Sequence, residues 1–108
     1  MAVLMFKEIE KLKKKILSLS TLVEQAVNLS VKAVSERDPA IANKVLAMDK
    51  EIDSMELDVE EECLKILALH QPVATDLRYI VAVLKINNDL ERVGDLAANI
   101  SQNALFLS

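Results

Sequence analysis

A chain of 108 residues is one domain by size, long enough for a single core and too short for two. Its composition is 52% apolar, mostly Ala, Leu, Ile and Val, with one glycine and two prolines; so little punctuation favours long helices. The formal charge of −4 is uneven, +2 over Met1 to Glu36, −5 over Arg37 to Gln71 and −1 over the rest. The single basic run, Lys11, Lys13, Lys14 and Lys15, reads as a solvated helix face, so no nucleic-acid partner is expected.

No segment approaches the run of about eighteen apolar residues that a membrane span needs, and Ala2 to Phe6 is too short for a signal-peptide core. A soluble, cytoplasmic protein without membrane insertion is the expectation. The lone cysteine, Cys63, has no internal disulfide partner, which fits a reducing compartment.

Met5, Ile9, Leu12, Ile16, Leu19, Val23, Ala26, Ser30 and Ala33 recur at alternating spacings of four and three, the seam of an amphipathic helix predicted over Phe6 to Glu36. Asp38-Pro39 then supplies a capping carboxylate and a proline at the first helical position, where its missing N–H costs nothing. The second stripe is Ile41, Val45, Met48, Ile52, Met55, Val59, Ile66 and Leu69, interrupted at Glu62, on a helix from Pro39 to His70. Gln71-Pro72 ends it, because the residue before proline is pushed out of the helical region. Ile80, Val83, Ile86, Leu90, Val93, Ala97, Ile100, Ala104 and Leu107 mark a third helix from Val73 to Phe106, with no polar break expected in its stripe. Connections this short force sequential helices antiparallel, giving an all-α, up-down-up three-helix bundle about 45 Å long.

Asp49 and Asp53 stand four apart on the second helix, and Glu91 and Asp95 four apart on the third, so each pair projects from one face. Each of Asp49, Asp53 and Glu91 follows a stripe residue, which places the acids on the rim of the core. Asp49 and Asp53 lie 22 and 18 residues before Gln71, and Glu91 and Asp95 lie 20 and 24 after it. With equal rise on both helices, the four acids reach one height, where Asn88, Asn99 and Gln102 extend the polar strip. Converging carboxylates repel unless a cation holds them. An all-oxygen set suits hard cations or the higher oxidation state of iron, and the lack of thiolate and imidazole argues against a closed structural zinc site. Two ordinary solvated acidic faces account for the same spacing, and the heights alone leave both readings open.

Gln71-Pro-Val-Ala-Thr-Asp-Leu-Arg78 followed by Asp89-Leu-Glu-Arg-Val-Gly-Asp95 resembles the signature of PhoU-type phosphate uptake regulators. The stretch from Asp49 through Glu62-Cys63-Leu64 to His70 is similar to the preceding helix of that family, so the likeness covers nearly the whole chain. In the family an E/D-x-x-x-D motif binds a cluster of iron, or zinc or another divalent ion, on the bundle surface. Asp49-Lys-Glu-Ile-Asp53 and Glu91-Arg-Val-Gly-Asp95 match that motif, and the resemblance therefore implies metal at Asp49, Asp53, Glu91 and Asp95. It also implies a regulator of phosphate uptake that docks on a phosphate ABC transporter component or a sensor kinase. Members of the family carry two three-helix repeats, and here there is one; a homodimer is the expected substitute for the second. Gly94 reads either as room for close approach by a helix or ion, or as a tolerated small residue that costs about 1 kcal/mol in a helix.

Other chemistries are poorly served. His70, the only histidine, is expected to end the second helix about 25 Å from the acids, far from a mid-helix phosphotransfer position. The Glu-x-x-His pairs of di-iron oxidases do not occur. No Ser/His/Asp or Cys/His arrangement is in reach, and Cys63 is expected to pack rather than react. Arg78 and Arg92 are expected to pair with Asp76 and nearby acids rather than to grip phosphate directly. The resulting expectation is a metal-binding regulator rather than an enzyme. Its rivals are a metal-free helical interaction module and, more remotely, a carboxylate-bridged oxidase.

Overall fold

A computed structural model describes residues 2–107 as three helices, α1 (Ala2–Glu36), α2 (Pro39–His70) and α3 (Ala74–Leu107). Each packs against both of the others in an antiparallel up-down-up bundle, 55 × 17 × 16 Å in extent. It is longer than the expected 45 Å in part because α1 starts four residues earlier than its stripe predicts, adding a turn that carries exposed Val3 and Leu4.

The two connections behave as their residues dictate. Asp38 takes an extended conformation, and its carboxylate accepts from the backbone N–H groups of Ala40 (2.9 Å) and Ile41 (3.4 Å), while Pro39 opens α2. Ahead of it Arg37 is left-handed (φ 50°), and the Asp38 N–H donates to the Ala33 carbonyl at 3.0 Å, closing the last turn of α1. Gln71, also left-handed (φ 44°), donates its N–H to the Leu67 carbonyl, and Pro72 is buried behind it. The one glycine serves neither turn.

The α1 seam runs as predicted, with Ile9, Leu12, Ile16, Leu19, Val23, Ala26, Ser30 and Ala33 all buried. In α2 and α3 the seam departs from the apolar stripe. The buried face of α2 is Ala42, Val45, Ile52, Glu56, Val59, Cys63 and Ile66, so Glu56 occupies a core position beside half-buried Met55. Cys63 fills the place expected to be broken by Glu62. Glu62 lies at the edge of the core, 3.5 Å from Lys15 Nζ, which also meets Asp58 at 2.9 Å. Leu69 is exposed.

On α3 the buried face is Ile80, Val83, Asn87, Gly94, Ala97, Ala98, Ser101 and Ala104. Ile86 and Val93, expected in the seam, are 45% and 39% exposed, and Leu107 is exposed as well. The small residues Gly94, Ala97, Ala98 and Ser101 are the reason. A helix that presents them approaches its neighbours more closely than one presenting Ile86 and Val93, and close packing follows the fit rather than the hydropathy.

Candidate metal centre

The antiparallel turn at Gln71 brings the middle of α2 against the middle of α3, where Gly94 is buried against α2. A Cβ built on Gly94 would lie 3.3 Å from Ile52 Cγ2 and 3.8 Å from Glu56 Oε1. Glycine here admits the neighbouring helix, the first of the two readings its sequence position allowed, and leaves the Glu56 carboxylate against bare backbone.

Three of the four acids singled out by spacing converge at this level. Asp49, Asp53 and Asp95 each place a carboxylate oxygen within 4.8 Å of the other two. Asp49 is half-buried, and its Oδ1 lies out of contact with solvent and without a hydrogen-bond partner; Asp53 and Asp95 are exposed. Burial, followed by the charges of Asp53 and Asp95, holds the Asp49 carboxyl above its ordinary range. Glu91 stands outside this group of three. It lines, with Asp53 and Asp95, an open cleft of about 370 Å³ between α2 and α3.

Two residues of that cleft were not singled out in the sequence. Glu56 is 6% exposed, and its Oε1 has no hydrogen-bond partner; desolvation first, then the charges of Glu91, Asp53, Asp95 and Asp49, pushes its carboxyl up to about 7. Asn87 is 3% exposed. Its Nδ2 donates to the Glu56 backbone carbonyl at 3.0 Å, which fixes the amide, and its Oδ1 is left unpartnered. The signal that could have found them is heptad spacing: Glu56 falls seven after Asp49, and Asn87 seven before Gly94. Asn88, Asn99 and Gln102, expected to extend the polar strip, are exposed, so the inward amide is Asn87.

The remaining candidates separate from this site. His70 Nε2 lies 3.0 Å from Glu8 Oε2 with both side chains largely buried, tying the end of α2 to the start of α1 rather than merely ending its helix. Cys63 is fully buried, and burial pushes its thiol up to about 11, so it packs as an inert residue. Arg78 and Arg92 are exposed and, among the described residues, take part in no ion pair, contrary to the pairing with Asp76 and nearby acids expected from sequence. Among the described residues no helix is long and apolar enough to cross a membrane.

A hard cation fits what is present. Every donor is oxygen, the three converging carboxylates come from two helices, and buried oxygens there lack partners. Fold and site together define a helical bundle with a carboxylate-lined cleft between its second and third helices. The PhoU domain matches residues 16–104, and the chain belongs to that family. It is 38% identical over 104 residues to the phosphate-specific transport system accessory protein PhoU homolog of Aquifex aeolicus, covering 96% of this chain and 47% of that protein. To the homolog of Pseudomonas putida it is 42% identical over 100 residues, covering 93% and 39%. The crystal structure of PhoU from Pseudomonas aeruginosa superposes with a TM-score of 0.91 at 40% identity, over 94% of this chain and 48% of that one. The chain thus spans about half the length of these relatives, or somewhat less.

Proposed function

We propose that this chain is a regulatory module of phosphate uptake and phosphate signalling that binds metal through Asp49, Asp53, Glu91 and Asp95. The observation that carries the reading is the convergence of Asp49, Asp53 and Asp95 from two helices onto one point, with Asp49 Oδ1 buried and unpartnered. Three like charges in that arrangement repel, and Asp49 is also partly desolvated; a cation offsets both costs. Iron fits the set, as does zinc or another divalent ion, singly or as a cluster. A bound cation supplies the positive charge that lets carboxylates of both helices share one cleft. Asp49 and Asp53 on one side and Glu91 and Asp95 on the other then fix the separation of α2 and α3.

The face fixed in this way docks on a phosphate transporter component or a sensor kinase in the cytoplasm. Support comes from family membership and from the names of the relatives, which are accessory proteins of a phosphate-specific transport system. In this reading the cleft's carboxylates serve as oxygen ligands, and regulation calls for no turnover. Two copies of the chain side by side would present paired metal faces, and a monomer in sedimentation at micromolar concentration would remove that part.

The metal reading is tested by elemental analysis of purified protein. Asp49→Asn combined with Asp95→Asn is expected to lower bound metal at least tenfold with helicity unchanged. Equal metal in the variant counts against this site, and unmodified protein that carries no metal leaves a metal-free interaction module, whose acids face solvent or a basic partner.

A further inference from the structure

The side of the bundle formed by α1 and α3 carries an apolar face that nothing in the chain covers. Lys13 Nζ lies 5.5 Å from the centre of the Tyr79 ring, so residues at equal height on these two helices are about 66 apart in number, as 13 is from 79. The two helices run in the same direction, and steps of seven from this contact lead to Val34 on α1 and to Ile86 and Val93 on α3. Leu17 and Val31 lie alongside the first row, four residues beyond Lys13 and Val27, and Leu96 lies alongside the second, three beyond Val93. These six apolar side chains are 39–69% exposed. They occupy a strip about 25 Å long, at 1.5 Å per residue, and two helices, or about 20 Å, wide. Such a footprint is at the upper end of the apolar patches that monomers leave open, and it approaches the about 800 Å² that each partner of a stable complex buries.

The charges within the strip say what covers it. On α1 there is one, Glu24, which alternates with Leu17 and Val31 in steps of seven. On α3 there are Lys85, Asp89 and Arg92, a positive set on balance. Glu24, Lys85 and Arg92 are exposed, and among the described residues none of the three takes part in an ion pair. With the offset of about 66, Arg92 stands two residues, about 3 Å, further along the bundle than Glu24. The strip is therefore acidic on one half and basic on the other at one height. A two-fold axis parallel to the bundle lays the α1 half of each copy on the α3 half of the other, acid on base; a two-fold axis across the bundle lays acid on acid.

Resting on the two-copy part of the reading above and extending it, we propose that the α1–α3 face docks a second copy of this chain about a two-fold axis parallel to the bundle. Glu24 of each copy then meets Arg92 of the other, and Val31 comes level with Leu96 across the interface. The α2–α3 clefts of both copies stay open on opposite flanks at one height.

Sedimentation velocity of the whole chain, stripped of metal with chelator and held at micromolar concentration, is the test. The unmodified chain is expected to be a dimer. Leu96→Glu alters a residue already exposed in the single chain, so circular dichroism should show unchanged helicity while the dissociation constant rises at least tenfold. Glu24→Arg and Arg92→Glu should each weaken the dimer about fivefold, and the chain carrying both should return to within about twofold of the unmodified one. A dimer that Leu96→Glu leaves intact overturns this face while pairing through another stands. Loss without recovery in the double exchange overturns the parallel axis. An unmodified chain that sediments as a monomer overturns the pairing altogether, and metal content, measured separately, decides the cleft.

Discussion

The seam of α1 and the interface between α2 and α3 share one heptad geometry and put it to different uses. Along α1 the buried positions are apolar except Ser30, and that hydroxyl donates to the Val27 carbonyl at 2.7 Å, so its hydrogen-bonding need is met within the helix. Across α2 and α3 the buried layer carries Glu56, Asn87 and Ser101, each with an oxygen that finds no partner. An unmet buried polar group costs about 1–3 kcal/mol, so the second interface is weaker than its burial implies. Leu12, Leu19 and Val23 offset that deficit from the opposite wall. The lesson is a division of labour: α1 holds the bundle together, and the α2–α3 contact keeps buried acceptors without donors.

The sharpest way to break this comparison is to damage the wall assigned to stability. Leu19 is fully buried, and Leu19→Ala removes its side chain from a core with no other use. The expected cost is about 3 kcal/mol, near the middle of the range for such truncations. For a domain of this size that lowers the thermal midpoint by about 12–24 °C, measured by circular dichroism in metal-free buffer. Metal bound per folded chain should not change. If Leu19→Ala strips metal as fully as the paired Asp49 and Asp95 variant, the two walls are one unit and the division fails.

How far the sequence led can be read from the same two regions. The α1 seam was legible because every large apolar residue of its stripe from Ile9 onward coincides with a buried position. Both connections were legible because Asp38-Pro39 and Gln71-Pro72 carry their own stereochemistry. On α3 the apolar stripe pointed to Ile86 and Val93, and the structure instead buries Asn87 and Gly94 one residue further on. Hydropathy spacing locates a face only where polar residues stay out of it. At Asn87 and Glu56 polar groups enter the core, and there the rule misassigns them. The pairs Asp49/Asp53 and Glu91/Asp95 were found by spacing and equal height, yet Glu91 falls outside the converging three, because equal height does not fix the direction of a side chain about its helix. The pairing expected for Arg78 and Arg92 failed for a related reason: nearness along a helix leaves long exposed side chains free to stay in solvent.

A smaller effect sharpens the comparison, and its sign is fixed by burial. The Glu56 carboxyl sits at about 7 in the folded metal-free chain against an ordinary 4.5, so the native state binds that proton more tightly than the unfolded state does. The stability linked to this proton is fully present below about pH 4.5, declines as pH rises through 7, and is absent above. Asp49, raised by burial and by Asp53 and Asp95, acts in the same direction. Metal-free protein should therefore be more stable towards urea at pH 5 than at pH 8, with Glu56 accounting for on the order of 2 kcal/mol of the difference. Glu56→Gln, which cannot ionise, should flatten that part of the profile and be the more stable protein at pH 8. Profiles that run parallel in the two proteins would mean that the ionised Glu56 already has a partner. An α1 position offers the control: Leu19→Ala should lower the whole curve without tilting it, since no titrating group is uncovered at its site.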